Sequence, residues 1–211
     1  MAAEKELGIL LAKLQGIAQT GKRYGKDPYD LERYEELMQV TNALLTTLYP
    51  TLATEQLSIL LEQDEGYATP KVDVRAVVFN QAGKLLLVKE KSDERWALPG
   101  GWGDIGYSPK EVAEKETLEE AGLKVKAERL IAVLDKAKHP YPPALTYVYK
   151  FFIRCQPLGE TTSVGLETMD TGYFTLDEIL TLPLSLERNI AANFQMIFED
   201  YAHELAGSIC D

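Results

Sequence analysis

Cysteine is nearly absent. Cys155 and Cys210 are the two in 211 residues, and they form no CxxC pair. The sequence therefore reads as carrying reduced, structural thiols in a cytoplasmic protein. Long apolar runs are also missing. The opening MAAEKELGILLAKLQ mixes charges into its leucines, so it lacks the continuous core of a signal peptide, and no later stretch is predicted to span a bilayer. Basic residues are outnumbered, 22 against 33 acidic, for a net charge of −11. That disfavours non-specific attraction to nucleic acid or anionic membrane, and no stable partner of either kind is expected. There is no internal repeat and no low-complexity tract.

What remains is ordinary for a soluble globular protein, with 45% hydrophobic and 26% charged residues. The length suits one large domain, or a medium domain with a small companion. The first third reads as helical. Leu7, Leu10, Leu11, Leu14 and Ile17 recur at helical spacing, with Gly21 as the expected stop. A second helix is marked by Leu31, Tyr34, Leu37, Met38, Thr41, Leu44, Leu45 and Leu48, ended by Pro50. A third is expected from Glu55 to Leu61. The acidic balance favours a packing or dimerisation module over a DNA-binding helix-turn-helix.

Periodicity changes after EGYATP. KVDVRAVVFN alternates as a strand, Gln81-Ala82-Gly83 turns the chain, and LLLVKE follows as the second arm of an expected hairpin. LIAVLDK and LTYVYKFFIRC are further strands, and SLERNIAANFQMIFEDYAHEL reads as a long terminal helix. Strands around a central helix, with a helix at the end, predict an α/β sandwich with a mixed sheet. The boundaries are placed at 1–66 for the helical domain and 67–211 for the α/β domain.

The central helix carries the chemistry. Ser108 is the expected N-cap, Pro109 takes the first position, Glu111 completes a capping box, and Gly122 supplies the left-handed stop. Inside those limits Glu116, Glu119 and Glu120 share one face, and Ala113, Thr117 and Ala121 form the adjacent small stripe. Acids near a helix C-terminus oppose the macrodipole and repel one another. A solvated helix end would tolerate this, but the preceding Gly-rich LPGGWGDIG loop exposes backbone groups to an ion or pyrophosphate. Hard oxygen donors at this density suit Mg²⁺ or Mn²⁺.

Residues 101–123 resemble the Nudix hydrolase signature, G-x5-E-x7-R-E-U-x-E-E-x-G-U, with U a bulky apolar residue. Gly101, Glu116, Glu119, Glu120, Gly122 and Leu123 match it. Tyr107 stands at the first Glu, Lys115 at the Arg and Thr117 at the first U. The arrangement along nearly the whole chain is similar to a Nudix subgroup with an N-terminal helical domain, described as CDP-choline or ADP-ribose pyrophosphatases. That subgroup also lacks Glu at the position of Tyr107. The resemblance implies a Nudix α/β/α sandwich behind a small helical domain, and metal-dependent cleavage of a nucleoside diphosphate linked to X. CDP-choline is the first expected substrate and ADP-ribose the second. A nucleotide-sensing module without turnover is the alternative of another class.

The resemblance assigns Glu116, Glu119, Glu120 and the Gly101 carbonyl to metal, with Glu116 or Glu120 as general base. Glu167 in GLETMDTGYF is an extra ligand or base, weighed evenly against an exposed loop acid, with Asp170 beside it. Arg75, mid-strand among apolar residues, needs a partner, which is either a phosphate or a structural carboxylate. Lys136, Lys138 and His139 in DKAKHPYPP are candidates for a phosphate or phosphoalcohol, though His139 alone reads as a loop residue. Trp96 is expected under the loop and Trp102 on a base. Tyr24, Tyr29, Asp30 and Arg33 are candidates to approach the site of the same or a neighbouring chain. Apolar helical faces outside the catalytic domain imply a homodimer.

Overall fold

The computed structural model describes residues 2–48, 66–142, 144, 146–203 and 207–211. The expected third helix and the Pro50 stop lie outside these. Contacts divide the chain into two units, one of residues 1–70 with 142–147 and one of 71–141 with 148–211.

In the first unit α1 (Ala2–Tyr24) and α2 (Pro28–Leu48) pack together. Gly21 does not stop α1. A Cβ there would sit 2.4 Å from the Tyr34 ring, so glycine admits the second helix rather than ending the first. The actual end is at Tyr24, where the Gly25 N–H closes on the Gly21 carbonyl at 2.7 Å. Asp27 then caps α2 by accepting from the N–H groups of Tyr29 and Asp30, at 2.9 and 3.2 Å. Of the predicted α1 stripe only Leu11 is buried, with Ala18 and Gln15 beside it; Leu7, Leu10, Leu14 and Ile17 stay 39–52% exposed. On α2, Leu45 and Thr41 are buried and Leu44 is exposed.

Among the described residues, the second unit holds eight strands in two sheets. Five form a mixed sheet in the order β4-β1-β6-β5-β8: β1 (Lys71–Val78), β4 (Gly100–Trp102), β5 (Val125–Asp135), β6 (Val148–Pro157) and β8 (Ile209–Cys210). In it β1 runs parallel to β6 and antiparallel to β4. The other sheet is antiparallel, β3-β2-β7, built from β2 (Leu85–Glu90), β3 (Trp96–Ala97) and β7 (Thr168–Phe174). The remaining helices are α3 (Pro109–Ala121), α4 (Leu176–Thr181) and α5 (Ala191–His203).

The expected β1–β2 hairpin is not a ladder. The turn is tight, with the Asn80 N–H on the Lys84 carbonyl at 3.0 Å, and a single bridge joins Phe79 to Leu85. The two strands then part into different sheets. Competition for edges explains the parting, because β4 and β6 take the two edges of β1 and leave none for β2. Val74, Ala76 and Val78 join the core under α3, with Leu86, Val112, Ala113 and Ala121. Val77 and Phe79 join the core under α5, with Leu98, Phe152, Phe194 and Ile197.

The terminal helix begins at Ala191, six residues later than the periodicity suggests. Ser185–Asn189 instead form a turn, in which the Ser185 carbonyl accepts from the Arg188 and Asn189 N–H groups at 2.9 and 2.8 Å. Trp96 is buried and meets Phe174 edge-on at 4.9 Å.

Candidate active site

Helix α3 forms as its sequence dictates. The Ser108 hydroxyl accepts from the Glu111 N–H and the Glu111 carboxylate accepts from the Ser108 N–H, at 3.3 and 2.8 Å. Gly122 closes the helix at φ 61°, its N–H on the Leu118 carbonyl at 3.0 Å. Ala113, Thr117 and Ala121 are fully buried, which lets the helix lie close on the sheet. Thr117 fills an apolar position without an orphaned hydroxyl, since its Oγ1 donates to the Ala113 carbonyl at 2.7 Å.

With that face down, the three glutamates emerge at graded depth. The Glu120 side chain is buried and accepts from the Gly100 N–H at 2.9 Å; Glu116 is 15% exposed and Glu119 58%. Burial pushes the Glu120 carboxyl up to about 8, against the pull of the Gly100 N–H and the Arg75 guanidinium. Burial also raises Glu116, with Lys115 opposing. Gly101 lies directly against Glu116, where a Cβ would stand 3.1 Å from its carboxyl carbon.

The two departures from the signature meet in space. The Lys115 ammonium lies 5.7 Å from the centre of the Tyr107 ring, and reaches Asp104 at 3.0, Glu116 at 3.4 and Glu119 at 3.6 Å. Its pKa is raised, chiefly by the Asp104 bond and then by Glu116.

Glu167 comes to the same place from 47 positions beyond Glu120. The Thr168 hydroxyl donates to the Glu120 carbonyl at 2.7 Å, the Gly165 N–H to the same carbonyl at 3.3 Å, and the Lys91 N–H to the Glu167 carbonyl at 2.9 Å. Gly165 is required for this docking, because a Cβ would fall 1.8 Å from the Glu119 carbonyl oxygen. The result is a cleft of about 630 Å³ lined by Gly101, Trp102, Glu116, Glu119, Glu120 and Glu167 among others. Trp102 is 54% exposed, so its ring is available in the cleft.

Several other sequence-predicted groups are engaged elsewhere. Arg75 gives Nε and Nη2 to Asp73, at 2.9 and 2.7 Å, and Nη1 to the Leu98 carbonyl at 3.2 Å. Asp73 is thus a structural carboxylate partner of Arg75, and Lys150 backs Asp73 from the other side. Lys136 pairs with Glu187 at 2.8 Å and His139 with Asp211 at 2.8 Å, while Lys138 is exposed; none of the three lines this cleft. The reason is the short helical turn Lys136–Lys138, capped by Asp135, which directs this loop to its own acids. Asp170 is spent locally, accepting from the Thr171 N–H. In the first unit Tyr24 and Tyr29 are exposed, and Arg33 pairs with Asp30 at 2.8 Å.

Glu90 was not anticipated. It is buried beside Arg188, whose Nε lies at 3.3 Å, and its pKa is raised by burial. The signal was present: Leu86, Val88 and Glu90 fall on one face of β2, and period two sends all three inward.

The donor set fits a divalent ion. Among the described residues no three acids already converge tightly enough to hold one. Yet carboxylates of incompletely balanced charge, two of them with raised pKa, face a cleft with an ammonium among them. A hard cation answers that excess of oxygen donors.

Residues 69–194 match the NUDIX domain, and residues 8–60 match the UDP-X-like, N-terminal oligomerisation domain. YjhB of Bacillus subtilis strain 168, provisionally named an ADP-ribose pyrophosphatase, is 40% identical over 199 residues, 94% of each chain. A crystal structure of a UDP-X diphosphatase is 32% identical with a TM-score of 0.62, covering 99% of both chains. That of an ADP-ribose pyrophosphatase from Streptococcus suis is 41% identical with a TM-score of 0.60, covering 68% of this chain and all of that one. Nudix hydrolases generally use divalent metal ions. With its Gly-rich loop, its glutamate helix and a matching domain over more than half its length, this chain belongs to the Nudix hydrolase family.

Proposed function

We propose that the chain hydrolyses the pyrophosphate bond of a nucleoside diphosphate linked to X. One observation carries the reading: Glu116, Glu119, Glu120 and Glu167 meet Gly101 on a single cleft. Its volume suits a ligand of nucleotide size. Glu116, Glu119, Glu120 and the Gly101 carbonyl hold the divalent ion, Mg²⁺ or Mn²⁺. When bound, that ion neutralises pyrophosphate oxygens and lowers the pKa of an attacking water. Glu120 or Glu116 would take the proton of the attacking water, with Glu167 as the third candidate base. Trp102 offers its exposed ring to the base.

ADP-ribose is the first substrate to test, since two similar proteins carry it in their names; CDP-choline and a UDP-linked compound follow. Residues 1–66 serve packing and dimerisation, and 67–211 catalysis. The exposed Leu7, Leu10, Leu14 and Ile17 supply an apolar face for a second copy, in line with the oligomerisation domain they fall in or beside.

The test is ³¹P NMR of the protein with ADP-ribose, CDP-choline and UDP-glucose in one tube, with Mg²⁺ or Mn²⁺ and then with EDTA. A nucleoside monophosphate and a second phosphate ester are expected only with metal, and the first pair to appear names the substrate. Three intact substrates under both metals would bring the sensing alternative to the front.

A further inference from the structure

We propose that Asn189 is a positioning residue for this reaction. It fixes the loop that presents Gly100 and Gly101 to the glutamates. The inference rests on the pyrophosphatase reading above.

Leu98 opens the loop, and both of its peptide groups are held by buried side chains from distant parts of the chain. Its carbonyl accepts from Arg75 Nη1 at 3.2 Å, and its N–H donates to Asn189 Oδ1 at 3.0 Å. Asn189 is completely buried and 91 positions away in sequence. The orientation of its amide is fixed, because only the carbonyl end can accept from an N–H. Its Nδ2 is buried without a partner, so the side chain is retained at the cost of an orphaned donor.

Gly100 and Gly101, two and three residues after the clamp, are those that touch the acids. Gly100 sits at φ 146°, where a Cβ would come 2.0 Å from the Val74 carbonyl oxygen, and its N–H is the one bonded to Glu120. Gly101 packs on Glu116. The adjacent Pro99 carbonyl accepts from the Ala76 N–H at 2.8 Å, which aligns the loop on β1. Asn189 itself is anchored. Its N–H is on the Ser185 carbonyl, the Ser185 N–H is on the Trp96 carbonyl, and the Trp96 N–H is on the Pro183 carbonyl, all at 2.8–2.9 Å. The turn before α5 is thereby tied to the strand that leads into the loop. Losing the Asn189 acceptor frees one side of Leu98 and loosens the Gly100 N–H that aims Glu120, while the groups that meet the substrate stay in place.

The experiment compares the full-length wild type with Asn189→Leu, which keeps bulk and removes the acceptor, and Asn189→Asp, which keeps the acceptor and drops the orphaned donor. The readouts are kcat and KM on the substrate found above, thermal melting, and amide hydrogen exchange at Leu98 and Gly100. Asn189→Leu is expected to lower kcat by between about ten- and a hundredfold with KM nearly unchanged, and to speed exchange at both amides. Asn189→Asp is expected to restore most of kcat and the protection. A folded Asn189→Leu protein with wild-type kcat, or one in which KM alone moves, overturns the proposal. Equal losses in both variants also overturn it, since they would mean bulk rather than the acceptor. If Asn189→Leu does not fold, Asn189→Asp decides: a kcat near wild type with protected amides supports the role, and a large kcat loss at an unchanged melting temperature ends it. A wild type inactive on every substrate sinks the pyrophosphatase reading together with this role. An active wild type insensitive to Asn189→Leu sinks this role alone.

Discussion

Glu120 shows how one side chain links the chemistry to the stability of the metal-free protein. Burial pushes its carboxyl to about 8, from about 4.5 in the unfolded chain. Between those values the folded chain keeps a proton that the unfolded chain has released. Its contribution to stability is therefore complete at low pH and is lost as the pH rises through about 8. Urea midpoints in EDTA are expected to fall from pH 5 to pH 8, with a smaller fall in Glu120→Gln and in wild type saturated with Mn²⁺. Identical slopes in all three would remove Glu120 as the cause. In catalysis, Glu120→Gln and Glu116→Gln are expected to lower kcat/KM on the order of a hundredfold or more, measured by phosphate-ester release, with a smaller loss for the exposed Glu119. The thiols divide in the same way. Burial raises Cys155 to about 12, whereas Cys210 is exposed. A disulfide exchange reagent should titrate one fast thiol in the native chain and two after denaturation.

At the scale of elements, α3 depends on its ends more than on its faces. Acids crowd its last turns with no basic residue in the last turn, so the caps and the buried small stripe hold it against its own charge. Ser108→Ala removes the acceptor for the Glu111 N–H and half of the capping box. It is expected to cost about 1 kcal/mol in urea unfolding with KM little changed, because the cap lies at the far end of the helix from Glu119 and Glu120. This helix was legible in detail, from Ser108 to Gly122, because its signals are local. The hairpin expected across Gln81–Gly83 was half right. The turn residues specify the turn, while pairing beyond it depends on which strands compete for each edge, and β1 found β4 and β6. The start of α5 was misplaced for a similar reason, since Ser185–Asn189 hold the strand before the catalytic loop instead of extending the helix.

For the whole molecule, the described part of the first unit leaves apolar side chains of α1 exposed. Four of the five residues in the α1 stripe remain exposed in a single chain. If the chain dimerises through this face as proposed, the double variant Leu10→Glu, Ile17→Glu is expected to shift sedimentation toward a monomer while far-ultraviolet circular dichroism stays helical. An unchanged sedimentation coefficient would place the interface elsewhere. Among the described residues no helix is long and apolar enough to cross a membrane.

The sequence by itself determined the glutamate face, both caps of α3, the small stripe beneath it and the Gly-rich loop ahead of it. Each is set by spacing along a few turns, or by a backbone conformation that only certain residues adopt. Tertiary structure decided the rest. Docking of Gly165 and Thr168 on the Glu120 carbonyl brought Glu167 to the cleft, and the buried Asp73 claimed Arg75. The helical turn after Asp135 kept Lys136 and His139 with their own acids, and Asn189 reached Leu98 across 91 positions. Except for Asp73, which lies two positions from Arg75 on the same strand face, each partner is distant in sequence, and only the folded chain brings the pair together.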